Sequence, residues 1–278
     1  MSTQNGNFDL ETAVRTTTEN AIQAYLQRRR RNKNYSEHVI LDRIFPRERH
    51  IRSIIGGLET SLGTTLWEPL AKAVAIAGGY EILKPENFKM PVELLPELQA
   101  VISKWQRLRE KPNYPFEFNH YLDDIKGIIK KFEQKDITYG SVTSGDGIDL
   151  WIRKDGKEFA TDIKTVQINQ NAGKSFAEKI MKWYAYRLMH DSSVDFKAFI
   201  AFPYSPYDDR SIDSWWQRNG GRAYPLIRGI DALVQEEFWN LLGDSPNTWQ
   251  RILTTFEKMG ESDWSNQYHE LFYGNENT

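Results

Sequence analysis

At 278 residues, with 40% hydrophobic and 27% charged residues, the chain can form one large domain or two small ones and has an ordinary soluble composition. No apolar run reaches the ~18–20 residues of a membrane span, the N-terminus MSTQNGNFDLET lacks the basic and apolar regions of a signal peptide, and the absence of cysteine excludes disulfides and thiolate zinc sites and suits a reducing cytoplasm. A net charge of −2 makes no case for nucleic acid, so any such case rests on local charge.

The sequence shows no internal repeat and no low-complexity segment. In chain order, Glu11 to Arg30 reads as a polar helix running into the basic stretch RRRRNK, Arg28 to Lys33. That run is either a solvated helix end or a phosphate contact. A second basic cluster is PRERHIR, Pro46 to Arg52. Ser61 or Thr64 is placed to cap a helix reaching Ala77, with Leu66, Leu70, Ala73, Val74 and Ala77 as its apolar stripe and Gly78-Gly79 as its end. Met90 to Glu110 and His120 to Gln134 read as further helices, separated by the proline-broken loop KPNYPFEF. Two strands, Ile148 to Arg153 and Glu158 to Val166, precede an amphipathic helix, Lys174 to His190. FKAFIAF, Phe196 to Phe202, reads as a buried strand. From Asp231 onward the tryptophan-rich remainder reads as mostly helical. The order helix, strand, strand, helix, strand predicts an α/β fold.

The two strands carry the chemistry. Asp155-Gly156 is a strong signal for a two-residue hairpin turn. That turn sets Lys154 opposite Lys157, Arg153 opposite Glu158, Trp151 opposite Ala160 and Asp149 opposite Asp162. Alternation then puts Asp149, Trp151, Arg153, Glu158, Ala160, Asp162 and Lys164 on one face. Ile148, Leu150, Ile152, Phe159, Thr161 and Ile163 form the other, which is the apolar face expected to pack on a helix. Arg153 and Glu158 read as a surface ion pair of little weight.

Opposed like charges destabilise an antiparallel pair. A divalent cation between Asp149 and Asp162 removes that conflict, and Mg²⁺ suits a site with few carboxylates that keeps waters and meets phosphate. Lys164 follows on the same face, where an ammonium can hold a nucleophilic water or balance charge growing on a phosphate. The bland alternative for the triplet is a solvated strand face. Asp146 is a rival for Asp149, but its Gly-rich setting reads as turn chemistry.

Several polar groups flank this hairpin or recur nearby. Gln167, Asn169, Asn171 and Lys174 follow the second strand and read either as DNA contacts or as an ordinary strand-to-helix loop. Arg218 and Arg222 flank Asn219-Gly220-Gly221, and arginine is the commonest side chain to contact guanine. Arg47, Arg49 and Arg52 lean towards phosphate contact. Trp183, Trp215, Trp216 and Trp239 read as core or interface. The five histidines lack ligand spacing, and there is no phosphate-binding loop.

Asp149 followed by Asp162-Ile163-Lys164 resembles the active-site motif of the PD-(D/E)xK nuclease superfamily, with Ile148 standing where proline is common. The stretches GGLETSLGTTLWEPLAKA, DIKTVQINQNAGKSF and WWQRNGGRAYPL are similar to one family of type II restriction endonucleases that cut the interrupted site GGNCC. The similarity runs from about Arg43 to Trp249.

The resemblance implies a restriction-endonuclease-like core, a mixed sheet flanked by helices, with added helical segments. It implies one nuclease domain over 1–278, comprising a basic N-terminal arm (1–55), a catalytic core (56–205) and a helical C-terminal part (206–278) for recognition or dimer contacts. It adds the Ile163 carbonyl as a further metal ligand and a helix glutamate at the site. Glu68 is favoured for that role and Glu59 is second, beside the plainer readings of Glu68 as a polar residue on an exposed helix face and Glu59 as a helix-start residue. A Mg²⁺-dependent enzyme acting on double-stranded DNA follows. So do a homodimer in a bacterial or archaeal cytoplasm, no membrane partner, and a methyltransferase protecting the same site. A structure-selective resolvase or repair nuclease, or a non-catalytic DNA-binding protein, would share the motif.

Overall fold

A computed structural model describes residues 9–31, 38–111, 114–132, 137–143, 145–205, 215–217 and 221–273. The chain divides into two compact units. Residues 79–242 form the core unit, and residues 1–78 together with 243–278 form the terminal unit.

The terminal unit begins with α1 (Leu10–Arg31), matching the predicted helix to within one residue at each end. Asp9 caps it, its Oδ2 accepting from the Thr12 amide at 3.2 Å and the Thr12 hydroxyl at 2.7 Å. The next helices depart from expectation. After α2 (Leu41–Ile44), α3 spans Pro46–Leu62 and continues through a π turn, Gly63–Trp67, into α4 (Glu68–Ala77). Pro46 sits at the helix start, where its missing N–H costs nothing. Within the expected apolar stripe Leu66, Leu70 and Val74 are buried, whereas Ala77 is exposed; Ala71 and Ala75 are buried instead.

The core unit holds a five-stranded sheet in the order β1-β4-β5-β6-β7. Its members are β1 (Glu81–Leu83), β4 (Leu150–Lys154), β5 (Lys157–Ile163), β6 (Asp195–Phe202) and β7 (Ala232–Val234). The pairs β1/β4 and β4/β5 are antiparallel, while β5/β6 and β6/β7 are parallel. A small antiparallel pair, β2 (Lys89–Pro91) and β3 (Tyr139–Ser141), stands apart. The predicted helix from Met90 is therefore a strand at its start, and α5 begins only at Pro96, running to Arg109. The other helices are α6 (Phe118–Ile129), α7 (Gln170–His190) and α8 (Glu236–Leu242).

The β4–β5 hairpin has the predicted turn and register. Asp155 and Gly156 both have positive φ, and Leu150, Trp151, Ile152, Arg153 and Lys154 pair with Thr161, Ala160, Phe159, Glu158 and Lys157. The two faces divide as the alternation predicts, but the Arg153–Glu158 pair does not lie at the surface, because Glu158 is buried. The Ile152/Phe159 face is buried, with Tyr80 edge-on to Phe159 and Phe238 of α8 edge-on to Phe199. The carboxylate-bearing face is buried too: Trp151 and Ala160 join the main apolar cluster with residues of α5, α6 and α7. A sheet carrying a β-α-β crossover on one side and a helix on the other has no solvated face.

The chain then returns to the terminal unit through α9 (Thr248–Glu261), a 3₁₀ turn (Trp264–Tyr268) and α10 (His269–Tyr273). Leu26, Ile54 and Tyr268 form a small core there. The C-terminal part is mostly helical as expected, but it opens on β7.

Candidate active site

Lys179, Trp183 and Arg187 recur every fourth residue along α7, so they stand on one stripe of the helix. Glu158, Ala160 and Asp162 recur every second residue along β5, so they stand on one face of the sheet. Eight helical residues rise about 12 Å, and four strand residues rise about 13 Å. The two ladders therefore match in length. Their outer rungs meet: Arg187 pairs with Glu158 and Lys179 with Asp162.

At one end, Glu158 is 1% exposed. Arg187 Nε donates to its Oε2 at 2.7 Å and Arg187 Nη2 to its Oε1 at 2.8 Å. Trp151 Nε1 and Arg153 Nη2 donate to it as well, at 3.0 and 2.8 Å. The expected surface pair of Arg153 and Glu158 is thus half of a buried cluster. Burial pushes the Glu158 carboxyl up, but the Arg187 and Arg153 hydrogen bonds outweigh it and hold the group below its ordinary value of 4.5.

At the other end, Asp162 is 2% exposed. Its Oδ2 accepts from Lys179 Nζ at 2.6 Å. Its Oδ1 stands 2.5 Å from Lys164 Nζ as an ion pair without hydrogen-bond alignment. Asp149 lies one residue beyond the β4 ladder. Its amide donates to the Thr161 carbonyl at 2.9 Å, and its Oδ2 accepts from the Ile163 amide at 2.7 Å. The ladder thus brings Asp149, Asp162, the Ile163 backbone and Lys164 to one sheet end. The Lys164 side chain is 31% exposed, and its amide donates to the Ala201 carbonyl of β6 at 2.8 Å. Asp146 stays in the preceding loop, its Oδ2 accepting from Thr143 at 3.2 Å.

Among the described residues no three aspartates, glutamates or histidines gather closely enough to hold a metal by side chains alone. The proposed set is two carboxylates and a backbone carbonyl. All are hard oxygen donors, and among the described residues the buried Asp162 Oδ1 receives no aligned hydrogen bond, only the ion pair with Lys164. A site with few carboxylates suits an ion that keeps waters and shares phosphate oxygens. These residues fit Mg²⁺.

The candidate DNA contacts divide between the units. In the core unit Gln167, Asn169, Asn171 and Arg222 line one open concavity of about 550 Å³ with Ile168, Gln170 and Trp215. Asn169 caps α7, its Oδ1 accepting from the Ala172 amide at 3.0 Å. Lys174 pairs with Glu110 at 2.9 Å. Arg222 lies 4.5 Å from the Trp215 ring centroid. Arg218 lies outside the described residues, as does Lys33. In the terminal unit, Arg47 lies over Tyr273, Arg49 pairs with Asp42 at 3.1 Å, and Arg52 is exposed on α3. Glu59 lies on α3 and Glu68 opens α4.

Sequence reasoning missed Lys179 and Arg187. The available signal was the four-residue spacing of Lys179, Trp183 and Arg187 on a helix following a strand with acids two residues apart.

A family model described as "Type II restriction endonuclease, HinfI" matches residues 7–260. No curated protein and no solved structure gives a significant match. No described helix is long and apolar enough to cross a membrane.

Proposed function

Because the chain belongs to the HinfI family of type II restriction endonucleases, and is thus a nuclease acting on double-stranded DNA, we propose that it cuts at a short palindromic sequence with the help of Mg²⁺. One observation carries the assignment of the site. The hairpin register sets Asp149 against the Asp162-Ile163-Lys164 segment, with the Asp149 carboxylate 2.7 Å from the Ile163 amide.

Asp149, Asp162 and the Ile163 carbonyl would hold the ion. When bound, Mg²⁺ polarises the scissile phosphate and lowers the pKa of a coordinated water. Lys164, half-exposed at the strand end, orients the attacking water or balances charge on the phosphate. The Gln167–Asn171 segment and Arg222 meet the DNA beside the site. Arg47, Arg49 and Arg52 supply phosphate contacts. The homologous helix glutamate is Glu68, with Glu59 second, and cleavage by Glu68→Gln and Glu59→Gln decides between them.

A palindrome cut on both strands calls for a two-fold homodimer. The setting is the cytoplasm of a bacterium or archaeon, where a methyltransferase marks the same site on host DNA. The GGNCC sequence implied by the sequence resemblance is the first target to test.

The deciding experiment is plasmid cleavage with and without Mg²⁺, using the intact chain and Asp162→Ala. Discrete fragments requiring both metal and Asp162 support the proposal, and their sequenced ends give the target. A smear points to a nonspecific or structure-selective nuclease. No scission under any divalent metal overturns the catalytic reading.

A further inference from the structure

The helix side of the site holds a cation that the mechanism above leaves unused. Lys179 is 7% exposed. Its ammonium donates to Asp162 Oδ2 at 2.6 Å and to the Gly145 carbonyl at 2.7 Å, and lies 5.1 Å from the Trp183 ring centroid. Gly145 belongs to the loop that leads through Asp146 to Asp149. Trp183 Nε1 donates to the next carbonyl of that loop, Asp146, at 2.7 Å. One helical turn apart, Lys179 and Trp183 thus fix two successive carbonyls upstream of Asp149. Lys179 also fixes Asp162 itself. The same ammonium is tied to both arms of the proposed metal site.

The two lysines on Asp162 differ in freedom. The Lys164 side chain is 31% exposed and the Lys179 side chain 8%. Lys164 has room to turn towards water and DNA. Lys179 is held by packing and by two oxygen acceptors. A buried ionised carboxylate is strongly disfavoured unless a positive charge accompanies it.

We propose that Lys179 supplies positive charge at Asp162 before the metal arrives, standing in for the ion and stabilising the buried carboxylate in the metal-free protein. The proposal rests on the metal-site reading above. It has two linked consequences. The metal-free protein depends on Lys179 for stability, and the same charge opposes the incoming cation. A side chain that merely packs produces the first effect without the second.

The test uses the full chain without DNA. Binding of Mn²⁺ is followed from the electron paramagnetic resonance signal of the free ion, and melting is measured in chelator and in saturating Mn²⁺. Removing one like charge beside a divalent ion should tighten Mn²⁺ binding by Lys179→Met about tenfold. The same variant should melt below the intact protein in chelator and close most of that gap in Mn²⁺. Lys179→Arg should behave as the intact protein does. Unchanged or weaker Mn²⁺ binding by Lys179→Met overturns the proposal.

If Lys179→Met does not fold, Asp162→Asn is added to it. A double variant as stable as Asp162→Asn alone supports action through Asp162. A double variant far less stable overturns it. Equal Mn²⁺ binding by the intact protein and Asp162→Asn overturns the metal-site reading itself, a result that does not involve Lys179.

Discussion

Arg187 of α7 and Glu158 of β5, separated by 29 residues in sequence, meet as a two-pronged pair at 2.7 and 2.8 Å. Such forked pairs fix geometry as well as charge. With Lys179 on Asp162 at the other end of the same strand face, the pair sets how α7 lies on the sheet.

The first prediction concerns that pair. Glu158→Gln leaves the buried Arg187 with a weaker partner and should destabilise the protein by about 3 kcal/mol at neutral pH. The sign of the pH effect follows from the direction of the carboxyl shift. Glu158 ionises more readily folded than unfolded, so its contribution is complete above the ordinary value of 4.5 and is lost as pH falls through the lower folded value. Urea unfolding at about pH 7 and about pH 3.5 should therefore show a gap between intact and variant protein that narrows in acid. A gap that widens in acid contradicts the assignment.

Asp149 separates charge from hydrogen bonding. Asparagine can still accept from the Ile163 amide, now 2.7 Å from Oδ2. Asp149→Asn should keep its melting temperature and lose cleavage by about 100-fold or more, the scale seen when one electrostatic group is removed from an active site. Asp149→Ala should lose cleavage equally and also about 1–3 kcal/mol of stability, because the Ile163 amide is left without its acceptor. Cleavage rates set beside melting curves for the two variants check both halves.

The hairpin was legible because its signals are local. Asp155-Gly156 dictates the turn, and the turn dictates the register that sets Asp149 against Asp162. The faces were legible too, but the Arg153–Glu158 pair was misread as superficial because polarity was equated with exposure. Glu158 and Asp162 are buried by cations 29 and 17 residues away on α7, and no periodicity within the hairpin reveals a partner that distant. β1, β2, β3 and β7 have three residues each, too few for an alternation to register. The helix at Pro46–Leu62 carries Gly56-Gly57 in its interior, where each glycine costs about 1 kcal/mol of helix propensity relative to alanine and weakens the local signal. A Cβ at Gly57 would stand 2.2 Å from the Tyr25 hydroxyl, so glycine there permits the close approach of α1 and α3.

Arg222 distinguishes a phosphate contact from a base contact. It is exposed, stacked on Trp215, and lines the same concavity as Gln167 and Asn171. If it meets a phosphate, Arg222→Ala weakens binding to all sequences alike and makes the slope of log K against log salt shallower by about 0.9. If it meets a base, the slope changes little and discrimination relaxes at one position by about 1–3 kcal/mol. Binding isotherms over a salt series, with cognate and singly substituted duplexes in Ca²⁺, separate the two. No effect on either quantity removes Arg222 from the interface.

The last prediction lies behind α7. Arg109 at the end of α5 and Asp231 before β7 form a buried ion pair, 2% and 1% exposed. Arg109 Nε also donates to the Pro225 carbonyl at 3.1 Å, the Tyr224 hydroxyl donates to the Arg109 carbonyl at 2.7 Å, and Asp231 Oδ1 accepts from the Ile227 amide at 2.9 Å. Together they fasten the segment that backs the first turn of α7, where a Cβ on Gly173 would stand 2.7 Å from the Ala223 and Tyr224 carbonyls. Removing one partner strands a buried charge, so Asp231→Ala should cost about 3–5 kcal/mol. Replacing both with apolar residues of similar volume should cost far less, because no charge is then left unpaired. Denaturant unfolding of Asp231→Ala, Arg109→Met and the pair Arg109→Met/Asp231→Leu measures this directly. A double variant costing as much as the two single changes added together would show that the pair acts through its separate hydrogen bonds instead of its charge.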